Sequence, residues 1–388
     1  MIINKILYFL LIIVSAFFYL LYIDNLSFFI LIFIIVLPAA LGLMLIIFKL
    51  TVKLDIEAKS CAVSKRERII FSAVIKNRTY FSFSNSLMTI EYFNKLSGTS
   101  EIITVSIPIH SKCTEKIEIG LSSDYCGIIE ARIKSLKVYD CIKLFLCRIK
   151  SESTASVYVM PEIHEIKSSC NVRNMDADDS DIYSKYKSGD DPSEIFDLKE
   201  YSVGDKLNRI HWNLSLRLDK FISRHYSQPI DSSVLIAVDY MKIPGTHNLQ
   251  LLDSIMETAA TISAFLISNE SFHNWVFYNK STGIFETCVI TCLEELQEVV
   301  MKMYKTGAYK GEAEFPEYIN GSKSEYSKII YITSNDDFDF INEDSDNSVS
   351  AVLISEHIEN YKKLRSECSY ISVIQTGKVA ECIDNIYL

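Results

Sequence analysis

The chain has 388 residues, of which 49% are hydrophobic, and its formal net charge is −10 at pH 7, with a pI near 5.3. This acidic balance argues against bulk nucleic-acid binding, because neutralising phosphates requires a basic surface. Ten cysteines are scattered without a C-x-x-C pair. This pattern favours small buried apolar residues over a zinc-binding set.

Two long apolar runs, residues 6–23 and 26–48, occupy the N-terminus, and neither contains a charged residue. As helices they would reach about 27 and 35 Å, which brackets a hydrocarbon core of about 30 Å. A signal peptide is the poorer interpretation, because the first run is long and a second run follows at once. A buried helical hairpin of a large soluble core is the other alternative. The sequence therefore predicts a transmembrane hairpin over residues 1–50.

Lysines flank the predicted hairpin on both sides. Lys5 precedes the first run, and Lys49 and Lys53 follow the second. The positive-inside rule then places both ends of the hairpin in the cytoplasm. We therefore expect a multi-pass protein of the cell membrane whose soluble domains are cytoplasmic.

Residues 51–163 show one short β pattern after another, with turn signals between them. About seven such strands at this spacing predict an antiparallel β-sandwich. The predicted strands lie at residues 52–56, 69–75, 87–93, 102–109, 117–121, 128–138 and 157–159. Residues 164–194 are acidic and polar, which predicts a linker or long loop.

Residues 231–388 change to an alternation of strands and helices. Residues 234–238 form a continuous apolar run, as in a strand buried on both faces. The alternation predicts an α/β domain with a doubly wound, mostly parallel sheet. Further strands are predicted at residues 272–278, 329–332, 349–354 and 370–374, and helices at residues 249–267 and 292–304.

The segment between the two domains, residues 195–230, is the most distinctive part of the chain. Apolar residues at helical spacing predict a helix that begins at about Lys206, with Asp205 as its N-cap, and residues 221–226 are predicted to be extended. The segment is either a structural joint or a surface that docks a partner, since Trp, Tyr and Arg often anchor interfaces. The candidate residues for both roles are Glu200, Tyr201, Gly204, Asp205, Arg209, His211, Trp212, Ser215 and Arg217.

Two motifs in this segment carry a family resemblance. Residues 198–205 follow the pattern L-K-E-Y-x-x-G-D, and residues 209–217 follow R-I-H-W-x-L-S-x-R. They resemble the signature of the bacterial family called domain of unknown function 58. Lys199 stands where that family usually has arginine, Asn213 where it often has lysine, and Cys126 where an arginine usually precedes a glycine.

The resemblance implies an architecture and a partner. Members of the family have two membrane helices, a β-sandwich, the signature and then a von Willebrand factor A-like domain, which is the order predicted here. The implied partner is a MoxR-type AAA+ ATPase, in envelope-related assembly or maturation.

A von Willebrand factor A-like domain also raises the question of a metal. Such domains hold Mg²⁺ with an Asp-x-Ser-x-Ser motif after the first strand, which supplies oxygen ligands. Here Asp239 is present, but Met241 and Ile243 replace both serines. Thr333, after a later strand, could supply one oxygen. Asp239 is therefore a weak metal candidate, and we expect no metal or other cofactor.

Catalytic motifs are not evident in the sequence. There is no G-x-S-x-G, no H-E-x-x-H and no glycine-rich phosphate loop. His211 and Asp205 could form an acid/base pair, but a structural histidine is the commoner outcome. We expect a membrane-anchored, non-catalytic scaffold or protein-binding component. The alternatives are a metal-dependent ligand-binding module and a membrane-associated hydrolase.

Overall fold

A computed structural model of the chain describes most of its length. The described residues form two compact units, Met1–Met160 and Pro161–Leu388. They are residues 2–22, 24–96, 98, 100–166, 183–189, 195–201, 209–229, 234–243, 248–311, 314–323, 325–336, 338, 349–356 and 371–386.

Two apolar helices begin the first unit, α1 (Ile2–Leu21) and α2 (Asn25–Thr51). Both are long and apolar enough to cross a membrane. Asp24 caps α2 in a capping box, in which Ser27 also binds the cap backbone, so the second helix starts directly after a tight connection. Both helices remain largely uncovered by protein, as a pair surrounded by lipid would be.

The described residues of the first unit also contain nine strands, which form two sheets. One sheet has the order β1-β3-β6; the other has the order β2-β9-β7-β4-β5, with β8 paired to β7. The pairings are antiparallel except for β2 with β9, which is parallel. The strands are β1 (Lys53–Ala58), β2 (Ala62–Ser64), β3 (Ile69–Lys76), β4 (Ser86–Asn94), β5 (Ser100–Ser106), β6 (Thr114–Leu121), β7 (Gly127–Tyr139), β8 (Leu146–Ile149) and β9 (Thr154–Met160).

The two sheets share one hydrophobic core, to which both contribute alternate residues. In β3 every second side chain is buried, as the period of two in a strand requires. The end of α2 belongs to the same core, because Leu45 and Phe48 are buried in it. The ring of Phe48 lies 4.6 Å from that of Phe83. The last turns of α2 therefore pack on protein, whereas the sequence assigned them to the membrane.

The second unit contains a small three-stranded sheet with the order β10-β12-β11, formed by β10 (Tyr183–Gly189), β11 (Ile195–Glu200) and β12 (Ile222–Pro229). A short helix, α3 (Trp212–Leu218), lies between β11 and β12 in the chain. The prediction of a linker or loop over residues 164–194 is wrong for β10, which pairs with β12 in spite of its polar sequence. Backbone pairing with a neighbour, rather than β propensity, makes this segment a strand.

The larger sheet of the second unit has the order β15-β14-β13-β16-β17-β18. All of its pairings are parallel except that of β15 with β14. Its strands are β13 (Val234–Val238), β14 (His273–Asn279), β15 (Ile284–Ile290), β16 (Lys328–Thr333), β17 (Val349–Ser355) and β18 (Ile371–Gln375). The predicted strands of this domain are all present, and β15, which is only half buried, was not predicted.

The other described helices of this unit are α4 (Asn248–Ser268), α5 (Leu293–Thr306), α6 (Phe315–Ser322) and α7 (Val379–Cys382), and a 3₁₀ turn (Ile383–Asn385) follows α7. Helix α4 is also long and apolar enough to cross a membrane, but 78% of its most apolar window is buried inside the protein. It contacts β13, β16 and β17, so its apolar residues serve a protein core.

The cysteines depart from the expectation that they are mostly buried. Cys126 and Cys147 are buried, whereas Cys61, Cys113 and Cys141 are exposed. The three exposed cysteines lie in turns and loops outside the strands, where no core is available to cover them.

Candidate functional site

The predicted signature segment folds around the antiparallel pair of β11 and β12. Glu200 at the end of β11 is opposite Ile222 in the register. Beyond it, the backbone N–H of Tyr201 donates to the carbonyl of Phe221 at 2.8 Å, which extends the ladder by one residue. These pairs lie before and after α3 in the chain, so the sheet holds the segment on both sides of this helix.

Helix α3 begins at Trp212. Lys206, at which the helix was predicted to start, lies outside the described residues. Ile210 forms an isolated antiparallel bridge with Ser223, so the backbone is still extended there. The helix cap is His211, whose Nδ1 accepts the backbone N–H of Leu214 at 3.3 Å. The apolar spacing suggested a longer helix because it included Ile210, and the side chain of an extended residue can lie on the same apolar face as those of helical residues.

Two of the candidate residues fasten α3 to the sheet. The Oγ atom of Ser215 is buried and accepts the backbone N–H of Ile222 at 2.9 Å. The backbone N–H of His211 donates to the carbonyl of Ile222 at 2.8 Å. His211 and Ser215 therefore position the helix on β12, and the His211 Nδ1 atom is engaged within the helix cap.

A second face of α3, next to the one that carries His211 and Ser215, is apolar and exposed. Trp212 is 57% exposed, Leu216 is 82% exposed, and Phe221, just after the helix, is 58% exposed. The rings of Trp212 and Phe221 meet edge to face with centroids 6.3 Å apart. Trp212 and Leu216 are four residues apart, so they lie on one side of the helix. We call these three residues the aromatic patch.

The charged candidates lie around this patch. Glu200 forms an ion pair with Lys220 at 3.5 Å, and both side chains are exposed, so the pair contributes little to stability. Arg217 is exposed on α3, and Arg209 is half-buried. Gly204 and Asp205 lie outside the described residues, as does the proposed pairing of Asp205 with His211.

The sequence analysis identified Trp212 but not the other two members of the patch. Leu216 falls outside the apolar stripe from which the helix was predicted, and its spacing of four residues from Trp212 was the available signal. Phe221 was assigned only to an extended segment. Exposure is a property of the folded chain, so an exposed apolar side chain resembles a buried one in the sequence.

The second candidate, Asp239, follows β13 at its carboxyl end. The order of the sheet reverses between β13 and β16, and ligands of open α/β sheets bind at such a switch point. Asp239 is buried, and its carboxylate accepts three hydroxyl hydrogen bonds. Tyr309 donates to Oδ1, while Tyr331 at 3.1 Å and Thr333 at 2.8 Å donate to Oδ2.

This arrangement does not fit a Mg²⁺ site. Burial raises the pKa of Asp239, and the hydrogen bonds from the three hydroxyls act in the opposite direction. Burial also raises the pKa of Tyr309, which keeps its hydroxyl a donor. Mg²⁺ prefers about six oxygen ligands in octahedral geometry, but Asp239 supplies a single carboxylate, both of whose oxygens already accept hydrogen bonds from hydroxyls. The hydroxyls instead satisfy a buried carboxylate, as the burial of a polar group demands.

Comparisons with known proteins identify no relative. No family model and no curated protein matches the chain. Among solved structures, the chain is similar to the CARDB domain of a Pyrococcus furiosus protein in complex with di-metal ions, at 13% identity over 28% of this chain and 89% of that chain, with a TM-score of 0.21.

Two further structures have similar values. The DNA glycosylase AlkC of Pseudomonas fluorescens is 11% identical over 28% of this chain and 35% of its own, with a TM-score of 0.19. A cohesin–dockerin complex from Clostridium thermocellum is 12% identical over 28% of this chain and 99% of that chain, with a TM-score of 0.20. Similarities at this level carry no argument about function.

Proposed function

We propose that this protein is a membrane-anchored, non-catalytic binding component whose aromatic patch docks a protein partner. The observation that carries the proposal is the exposure of Trp212 and Leu216, on a helix that is fixed to a sheet, and of Phe221 just after that helix. Large apolar side chains in water are unfavourable unless a partner covers them, and tryptophan is among the most frequent anchors of interfaces. A fixed patch also loses little conformational entropy when it binds.

The proposed architecture is a transmembrane hairpin, a β-sandwich and a von Willebrand factor A-like domain, with both soluble domains in the cytoplasm. The shared core of two sheets supports the sandwich. The sheet order β15-β14-β13-β16-β17-β18, with an antiparallel edge strand, supports the von Willebrand factor A-like domain. Lys5, Lys49 and Lys53 support the orientation.

The proposed partner is a MoxR-type AAA+ ATPase, which the resemblance to the domain of unknown function 58 family implies, in envelope-related assembly or maturation. The contact is assigned to the aromatic patch rather than to a metal at Asp239, because hydroxyl donors already occupy both oxygens of that carboxylate. Arg217 and Lys220, both exposed beside the patch, would surround an apolar centre with charge. An apolar centre within a polar rim is the usual anatomy of an interface.

The test is a binding measurement with the full-length protein in detergent and the purified MoxR-type ATPase of the same organism, with nucleotide present. Trp212→Ala is expected to weaken binding about 30-fold, which corresponds to a hot-spot contribution of about 2 kcal/mol. The substitution leaves the hydrogen bonds of His211 and Ser215 in place, so the melting temperature should change little.

Leu293→Ala is the matched control for the patch residue Leu216, because Leu293 is an exposed leucine at the start of α5. Leu216→Ala should weaken binding and Leu293→Ala should not. Unchanged affinity in both patch variants would refute the docking role of the patch. No binding of the ATPase by the wild-type protein would refute the proposed partner.

A further inference from the structure

Three metal-ligating side chains meet at the beginning of the second unit. Glu162 and His164 come from the segment that follows β9, and Glu257 comes from the middle of α4. Their ligand atoms, two carboxylate oxygens and one imidazole nitrogen, all lie within 4.8 Å of one another. We call these three residues the Glu–His–Glu cluster.

The backbone brings the cluster together in a defined way. The N–H of His164 donates to the Oγ1 atom of Thr261 at 3.3 Å. Thr261 lies four residues after Glu257, so both side chains are on the face of α4 that receives the segment. Glu162 and His164 are two residues apart, and the ligand atoms of both side chains lie within 4.8 Å of that of Glu257.

The burial of the three ligands is graded. Glu257 is only 5% exposed, His164 is half-buried, and Glu162 is exposed. A buried carboxylate thus forms the floor of the cluster, and a solvent-facing carboxylate forms its entrance. A hydrated ion could enter from the Glu162 side and exchange water for protein ligands.

We propose that the Glu–His–Glu cluster binds a first-row divalent cation of the Zn²⁺ class. The imidazole distinguishes the cluster from an acidic surface patch, since imidazole together with carboxylate suits zinc and its neighbours better than Ca²⁺ or Mg²⁺. Ligand atoms in a tetrahedral zinc site lie about 3.4 Å apart, given bond lengths of about 2.1 Å. Rotation of the exposed Glu162 and the half-buried His164 closes the remaining distance.

Charge and coordination number agree with this assignment. Metal ligands bind in their deprotonated forms, so two coordinated carboxylates and one imidazole would bring a charge of −2 to one divalent cation. Three protein ligands leave a fourth position for water. A bound ion would fasten the first residues of the second unit to α4, joining positions more than ninety residues apart in the chain. This proposal does not depend on the docking function of the aromatic patch.

The test uses the full-length protein in detergent, treated with a chelator, dialysed and then titrated with ZnCl₂. We expect one high-affinity Zn²⁺ per chain and a rise in melting temperature of about 5 to 10 °C at saturation. His164→Ala and Glu162→Gln should each weaken binding at least tenfold. Glu162 is exposed, so its variant should fold even where a change at the buried Glu257 does not.

His110→Ala is the matched control. His110 pairs with Glu115 at 2.6 Å on the surface of the first unit, and among the described residues no third metal ligand joins this histidine–carboxylate pair. Its loss should leave zinc affinity unchanged. Equal zinc binding by wild type and His164→Ala, or absence of a stoichiometric ion in the wild type, would overturn the proposal.

X-ray absorption spectroscopy of the zinc-loaded protein separates the cluster from the exposed thiols. The cluster predicts only nitrogen and oxygen ligands at about 2.0 to 2.2 Å. A sulfur shell at about 2.3 Å would assign the ion to cysteines such as Cys61, Cys113 or Cys141, which are exposed, and would refute the site.

Discussion

The end of α2 offers the sharpest test of how the membrane anchor joins the first unit. Phe48 is fully buried, and its ring packs against that of Phe83 at 4.6 Å, in a core that both sheets share. Phe48→Ala removes this ring from a site that the two sheets prevent from collapsing. We expect a loss of about 3 to 5 kcal/mol in the free energy of unfolding, as for other buried phenylalanines.

This loss can be measured because the two units report separately. Both tryptophans, Trp212 and Trp275, lie in the second unit, so tryptophan fluorescence follows only that unit. Calorimetry in detergent follows both. For a unit of this size, the expected loss lowers its melting temperature by about 10 °C. The calorimetric transition of the first unit should therefore shift, while the fluorescence transition stays in place.

The control is Ile46→Ala, a change on the same helix at a side chain that is 57% exposed. If Ile46 faces lipid, its truncation leaves no cavity in the protein and should shift the transition far less. Equal shifts for Phe48→Ala and Ile46→Ala would mean that the helix end does not enter the core. No shift for either would lead to the same conclusion.

Three further predictions concern the second unit. Burial lowers the pKa of His273 to about 4. The contribution of neutral His273 to the free energy of unfolding is therefore full above pH 6.5, and about 3 kcal/mol of it is lost as the pH falls toward 4. His273→Asn should remove this pH dependence of the melting temperature measured by fluorescence. Burial raises the pKa of Asp239 in the folded protein. The contribution of protonated Asp239 to the free energy of unfolding is therefore full below pH 3.8 and is lost as the pH rises through the higher pKa of the folded state. Asp239→Asn should flatten that decline and the exposed Glu298→Gln should not, and equal profiles for the two variants would contradict the assignment. Ser215→Ala should cost about 1 to 3 kcal/mol, measured by denaturant unfolding, because it removes the acceptor of the Ile222 N–H; a wild-type midpoint would show that water replaces it.

Most strands of the larger sheet could be predicted because fully buried strands are uninterrupted runs of apolar residues in the sequence. β13 is buried at all five positions, and its residues form one uninterrupted apolar run. In the smaller sheet of the first unit, β3 alternates between buried and less buried positions, although its sequence is apolar at most positions and does not itself alternate. β15 has no uninterrupted apolar run, because it is an edge strand and only half buried. β10 was missed for a related reason, because its backbone is paired although its sequence is polar.

The candidate site was predictable in its location but not in the roles of its residues. Trp212, His211 and Ser215 belong to one motif, yet the first is exposed and the other two hold the helix in place. A motif shows that residues occur together, whereas a role depends on which side of the helix each one occupies. The hydrogen-bond partners of Asp239 could not be predicted either, because Tyr309 and Tyr331 are far from it in the chain and only the fold brings them together.

The junction between α2 and the first unit bears on how the proposed docking function would operate. Hydropathy alone extends the membrane run to Phe48, because lipid and a protein core favour the same side chains. With Leu45 and Phe48 assigned to the core, residues 26–44 remain for the membrane, about 28 Å of helix, which still matches a bilayer.

Val52 ends the helix and Lys53 begins β1, so no flexible residues separate the anchor from the sheet. The side chain of Asn4 in α1 also donates to the carbonyl of Ile142 at 2.8 Å. The anchor is therefore a structural part of the first unit. A load applied to the first unit would therefore reach the helix pair without an intervening linker.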